Sequence, residues 1–247
     1  MNYRILLSAS VFLFFVTACA NIPNHSFEQL MQHSARSEAD KLRDVGRQPK
    51  KVLEFAEINA GMTVLDLVAS GGYYTEVLSH WVGAEGKVLA HNTEFILTVR
   101  DGQFNQELTQ RLTANRLKNV ERYEREIGQI DLDSEVDAAT MMLNYHDLYN
   151  RPVSQRMTFL SEIYRALKPN GVFVVIDMQA NAGPYDSRLH RINEHIVKEE
   201  VAQVGFELTK QGDFLANPDD DHLKVVFDPS IRGNTDRFVL IFKKPAN

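Results

Sequence analysis

From Thr63 onward, short apolar runs rich in β-branched residues alternate with segments whose apolar residues recur at helical spacing. No other feature of the chain constrains its fold as much. Thr63 to Val68 predicts a buried strand, and Ser70-Gly71-Gly72 a turn. A helix follows with Tyr74, Val77, Leu78, Trp81 and Val82 on one face. Lys87 to His91, Val120 to Tyr123 and Val136 to Leu143 predict further strands, with a polar helix across residues 96 to 116. Pro152 opens a helix whose face carries Val153, Met157, Leu160, Ile163, Tyr164 and Leu167, and Lys168-Pro169-Asn170-Gly171 breaks it. Val172 to Asp177 is apolar throughout until its final acid, as befits a parallel strand covered on both faces. Leu189, Ile192, Ile196, Val197 and Val201 predict one helix, on which His190, Glu194 and His195 ride. A sixth strand begins at Gly205 to Leu208, and Phe238 to Phe242 is the last. The alternation predicts an α/β fold, mostly parallel, with helices on both faces. Two closing strands with no helix between them add a C-terminal antiparallel strand.

Ahead of this lie two helical segments. One carries Phe27, Leu30 and Met31, followed by a charged stretch through Arg47; the other is opened by Pro49. Asp40, Arg43, Asp44 and Arg47 in the charged stretch read as a solvated face with internal ion pairs. Residues 1 to 18 have the layout of a signal peptide: Arg4, then an apolar run from Ile5 to Val16, too short to span a bilayer comfortably. Val16-Thr17-Ala18-Cys19 resembles a bacterial lipobox, which implies lipidation at Cys19, the sole cysteine. Residues 19 to 26 are then a tether and 27 to 247 the folded domain. The expected location is the periplasmic side of a bacterial membrane, more in keeping with the outer one because Ala20 follows the cysteine. The 27 basic against 33 acidic residues give a formal charge of -6, which argues against nucleic acid as a partner.

Ligands of open α/β sheets sit at the carboxyl ends of the strands. There the first loop reads Asp66-Leu67-Val68-Ala69-Ser70-Gly71-Gly72-Tyr73. An acid before the glycines departs from the dinucleotide fingerprint and makes a nicotinamide enzyme a poor reading. The segment resembles motif I of the class I S-adenosylmethionine-dependent methyltransferases. A strand ending in Asp137, the Leu167-Lys168-Pro169-Asn170-Gly171 turn and the strand from Arg237 to Lys243 extend the likeness from about Pro49 to the C-terminus. The resemblance implies a Rossmann-like methyltransferase fold, S-adenosylmethionine as cofactor and methyl transfer to a small-molecule acceptor. It also implies that Asp66, Val68, Ser70, Gly71, Gly72 and Tyr73 border the cofactor. Val68 and Ser70 stand where the family has glycine. Asn92 takes the place of the ribose-binding acid, with Glu94 as a substitute from the loop and Glu126 nearest the adenine-contacting position.

Asn144-Tyr145-His146-Asp147 follows the fourth strand, on the border of cofactor and acceptor. His146 is the candidate general base, Tyr145 a surface for stacking an acceptor and Asp147 a third catalytic candidate, with Asn144 counted among the cofactor's residues. Asp219-Asp220-Asp221-His222 reads as a solvated loop, and no third ligand accompanies His190 and Glu194, so no metal is assigned. The competing expectation is an envelope-anchored binding protein that keeps the fold and has lost catalysis.

Overall fold

The computed structural model describes residues 26–183 and 185–246. The leader, Cys19 and the tether through residue 25 lie outside them. Ser26, assigned to the tether, is instead a helix cap: it closes a capping box with Gln29 at the start of α1 (Phe27–Met31). No helix among the described residues is long and apolar enough to cross a membrane.

The seven strands are β1 (Thr63–Leu67), β2 (Lys87–Asn92), β3 (Val120–Glu124), β4 (Val136–Met142), β5 (Leu167–Met178), β6 (Glu207–Gly212) and β7 (Arg237–Lys243). They form one sheet in the order β3-β2-β1-β4-β5-β7-β6. The first five pair in parallel. β7 runs antiparallel to both neighbours, β5 and β6. The predicted closing hairpin is therefore present, and its second strand lies inside the sheet. The reversal of strand order falls between β1 and β4, where ligands of such sheets bind.

Side chains alternate along each strand and split the core in two. Leu65, Met141, Phe173, Val175, Leu240 and Phe242 pack on one face under α8 (Val153–Ala166) and α9 (Glu194–Gln203). Val64, Ala138, Val174, Ile176, Val239 and Ile241 pack on the other, under α3 (Pro49–Phe55) and α4 (Tyr73–Val82). Gly86, just before β2, shows how tight this second layer is. A Cβ there would stand 2.5 Å from Val82 Cβ and 2.9 Å from the Met62 carbonyl oxygen. Gly86→Ala is expected to lower unfolding stability by roughly 1–3 kcal/mol, measurable by urea denaturation.

Three local expectations need correction. The polar helix over 96 to 116 is broken into α5 (Glu94–Thr98) and α6 (Gln103–Leu112), because Asp101 and Gly102 take left-handed backbone. The Lys168 to Gly171 turn is absorbed into β5, whose register with β4 jumps between Val136 and Ala138. Asp137 lies near the start of β4, far from the ligand end, where it accepts from Thr63 N (2.8 Å) and Lys168 Nζ (2.7 Å). The charged stretch before Pro49 is the helix α2 (Glu38–Arg47).

Candidate functional site

The loop from β1 to α4 holds left-handed backbone at alternating positions: Val68 (φ 53°), Ser70 (φ 52°) and Gly72 (φ 81°). Gly72 adopts this at no steric cost, but valine and serine do not, so neighbours have to enforce it. Ala69 N donates to the His91 carbonyl oxygen (2.8 Å) and Ser70 N to Asn92 Oδ1 (2.8 Å). Asn144 Nδ2 donates to Val68 O (3.2 Å), and Arg111 Nε to Gly71 O (3.0 Å). Val68 itself is half-buried and packs against the α8-side core.

Sequence reasoning passes over His91. It is fully buried; its Nδ1 faces Val68 N at 3.4 Å and its Nε2 the Arg125 carbonyl oxygen at 3.0 Å. Burial drives its pKa down to about 4. The neutral ring thereby staples the loop to the end of β3.

The structure turns several candidates away from a ligand. Asp66 is 2% exposed; its oxygens accept from Thr75 Oγ1 (2.6 Å) and Thr140 Oγ1 (3.1 Å). It braces the loop from behind instead of facing an open cleft, and burial raises its pKa to about 6. Asn92 is buried and spent on the loop, its Nδ2 also donating to Ser70 O (3.3 Å). Tyr73 is buried, donates to Asp44 Oδ1 (2.7 Å) and carries the Arg47 guanidinium 4.4 Å above its ring. Tyr145 points into the core, where its hydroxyl donates to Glu200 Oε2 (2.9 Å); stacking on an acceptor is excluded. The polar motif around it suggests an outward ring, but this aromatic, three residues after β4, packs inward because a buried carboxylate accepts its hydroxyl.

Glu94 and Glu126 stay at the ligand end. Glu94 N donates to Glu126 Oε1 (2.7 Å), and with Leu97, Glu124, Arg125 and Gln129 they line a cavity of about 280 Å³ at the ends of β2 and β3. The opposite flank of the loop is occupied by α6. A Cβ on Gly71 would meet Glu107 Oε2 at 2.1 Å, and one on Gly72 would meet Leu108 Cδ1 at 2.8 Å. The flank of the loop that α6 leaves uncovered is therefore that of Val68 and Ser70.

Of Asp40, Arg43, Asp44 and Arg47, expected as a solvated face, Arg43 stays half-exposed and keeps an internal ion pair with Asp40 (3.0 Å), but the others pack inward. Arg36 pairs with Asp44 (2.6 Å), and Asp40 is buried against Arg111 (2.8 Å). These contacts clamp α2 to α6 and, through Tyr73, to the amino end of α4.

His146 is the second residue of α7 (Tyr145–Tyr149), at the carboxyl end of β4, and is 3% exposed. Asp177, the acid that ends the apolar run of β5, accepts from His146 N (2.8 Å) and lies 2.9 Å from its Nδ1. Burial acts to lower the His146 pKa, and the Asp177 carboxylate more than offsets it, so the net shift is upward. With Nδ1 held as donor, Nε2 is the nitrogen facing outward. It meets His190 Nδ1 at 3.3 Å, with Asp147 alongside. Periodicity puts His190 on the last helix; it instead ends a short 3₁₀ turn with φ 53°, because Asn193 caps α9 and starts it at Glu194. The Asp219 to His222 loop is also more ordered than its composition suggests. Asp220 is buried against Arg191 (2.9 Å), and His222 Nε2 lies 2.8 Å from Asp236.

No protein-family model and no curated protein matches the chain. Solved structures do. An S-adenosylmethionine-dependent methyltransferase from Aquifex aeolicus superposes with a TM-score of 0.61 at 22% identity, over 89% of this chain and 98% of that one. The [4+2]-cyclase SpnF gives 0.56 at 16%, over 87% and 86%. A possible exported protein from Bordetella parapertussis gives 0.53 at 13%, over 90% and 80%. At such identities the likeness is one of fold, in agreement with the strand order and its antiparallel β7. The chain has the Rossmann-like fold of the class I S-adenosylmethionine-dependent methyltransferases.

Proposed function

We propose that the protein binds S-adenosylmethionine and transfers its methyl group to a small-molecule acceptor. One observation carries this reading: Val68, Ser70 and Gly72 keep the left-handed alternation of a glycine loop even where the residues oppose it. Left-handed backbone costs a non-glycine residue roughly 1–2 kcal/mol. A strained turn held by so many hydrogen bonds is typical of a functional site.

The residues present fit the cofactor in part. The backbone of 68 to 70 would receive the methionine moiety, and Glu94 and Glu126, lining the cavity beyond β2, would take the ribose and adenine. When bound, the cofactor supplies an already electrophilic methyl group. The protein's own task is then to align an acceptor and exclude water. His146, Asp147 and Asn144 border the acceptor's side, and Asp177 fixes the ring of His146. Calorimetric titration of the full chain with S-adenosylmethionine and with its demethylated product should give one site per chain. Absence of heat at millimolar ligand would end this reading.

Two observations favour a second reading, a binding protein that has lost catalysis: Asn92 is already engaged, and α6 covers one flank of the loop. The cyclase with the same fold is a reminder that architecture does not dictate reaction. The double variant Val68→Gly, Ser70→Gly separates the two. A vestigial site gains cofactor affinity from relaxed backbone, whereas a specialised one loses turnover. Export and anchoring through Cys19 belong to the proposal as well. They are supported by the leader pattern.

A further inference from the structure

Three ligating side chains that are not one sequence motif converge at the carboxyl ends of β4 and β5. His146 Nε2 and His190 Nδ1 stand 3.3 Å apart. Asp147 straddles them, Oδ2 lying 3.5 Å from His146 Nε2 and Oδ1 3.6 Å from His190 Nδ1. The geometry points to a binding site for one zinc-class divalent cation, held by His146, Asp147 and His190, with a coordination position left open. This inference uses none of the residues of the β1–α4 loop, and it shares His146, Asp147 and Asp177 with the acceptor's side of the proposed function.

Distance is the first argument. Ligands at about 2.0–2.1 Å from a tetrahedral ion stand roughly 3.3–3.4 Å from one another. The two imidazole nitrogens are already at that separation, and the exposed Asp147 carboxylate has only to rotate to bring one oxygen to the same ion. An octahedral ion would draw neighbouring ligands to about 3.0 Å.

Orientation is the second. Asp177 is fully buried and accepts from the His146 ring at Nδ1, which leaves the Nε2 lone pair directed at the cluster. A carboxylate behind a ligating histidine is the usual outer support of a metal site; it fixes the tautomer and strengthens the nitrogen as a ligand. His190 is likewise fixed, its left-handed backbone (φ 53°) and the Phe227 ring 4.9 Å away presenting Nδ1 inward. Backbone strain of this kind concentrates at functional positions.

The chemical class follows from the donor set. Two imidazoles and one carboxylate suit zinc, or iron and cobalt of the same charge, better than magnesium or calcium, which prefer oxygen alone. Three protein ligands, two of them partly exposed, leave room for water or for an oxygen, nitrogen or sulfur atom of a small ligand. Such an atom loses its proton more readily on the ion.

The test uses the untagged full chain, stripped with a chelator and titrated with Zn²⁺ against a chromophoric competitor. One ion per chain is expected, with a Kd of about 1 μM or tighter. His190→Ala should weaken binding by about 100-fold or more, and Asp177→Asn by about 10–100-fold, while the exposed His195→Ala leaves it unchanged. His190 is partly exposed, so its removal should leave the far-ultraviolet circular dichroism intact, which separates lost ligation from lost fold. Co²⁺ in place of Zn²⁺ should show the intense visible bands of a four-coordinate ion. Less than one equivalent bound, equal losses in His190→Ala and His195→Ala, or only the faint spectrum of six-coordinate Co²⁺ would overturn the site. Loss of S-adenosylmethionine binding with Zn²⁺ binding retained would strike the loop reading alone.

Discussion

Replacing Glu76 by alanine is expected to lower unfolding stability by roughly 3–5 kcal/mol and the melting temperature by on the order of 10 °C. Glu76 is fully buried on α4 and holds both Arg111 and Arg116, with His80 Nε2 3.6 Å from Oε1. Burial alone would raise its pKa; His80, Arg116 and Arg111 outweigh burial and bring it down to about 2. Alanine leaves two guanidiniums in a largely enclosed place without their shared anion. Arg111 also carries Asp40 of α2 and the Gly71 carbonyl oxygen, so the loss reaches the loop. The pH dependence gives a second readout. A carboxyl whose folded pKa lies below its ordinary 4.5 stabilises above that value, and the contribution disappears as pH falls toward 2. That span corresponds to roughly 3 kcal/mol. The alanine variant should lack this acid slope. A shortfall under about 1 kcal/mol in urea denaturation at pH 7 would show that the network is energetically idle.

The opposite sign is expected at Asp66. Its carboxyl is raised from 3.8 to about 6 because burial outweighs the two threonine hydroxyls. At neutral pH the charged form therefore destabilises the fold by about 3 kcal/mol relative to the protonated one. An amide in its place is neutral at every pH, and each threonine hydroxyl can turn to accept from it. Asp66→Asn should raise stability at pH 7.5 by up to about 3 kcal/mol, an advantage that fades as pH drops from 6 to below 3.8. His91 works against this in the same window. Its folded pKa of about 4 means that its neutral ring supports the fold fully above 6.5 and loses that support on acidification to 4. The wild-type profile between 6 and 4 should be nearly flat, and Asp66→Asn should uncover the fall due to His91. A variant less stable than wild type at pH 7.5 contradicts the argument.

Much of the sheet was legible because buried parallel strands write themselves as apolar runs: Leu65, Ala139 and Val175 are all inside, as their neighbours implied. The insertion of β7 between β5 and β6 was not, since local pattern reports a hairpin and says nothing about which strand takes the inner place. At the candidate site, the sequence marks the loop after β1 and misjudges what its acid and its neighbour Asn92 face. Asp66 is answered by Thr75 and Thr140, the second 74 residues away, and Asn92 by a backbone it does not adjoin. Such pairings depend on tertiary approach and leave no periodic trace. His190 was lost to a false helix because Leu189, Ile192 and Ile196 happen to share helical spacing; the cap at Asn193 was the contrary signal. Asp177 was the more readable omission. An acid closing an otherwise apolar strand at its ligand end already asks for a buried partner.

The inner position of β7 also bears on when the molecule can finish folding. A chain that emerges amino end first completes β1 to β5 while the flank of β5 is still bare, because its partner spans Arg237–Lys243. β6, made earlier, has no neighbour until that same segment arrives. Nascent molecules thus pass through a stage with two open strand margins, where association with other chains competes with closure. The latest-made of the seven strands acts as the keystone of the sheet.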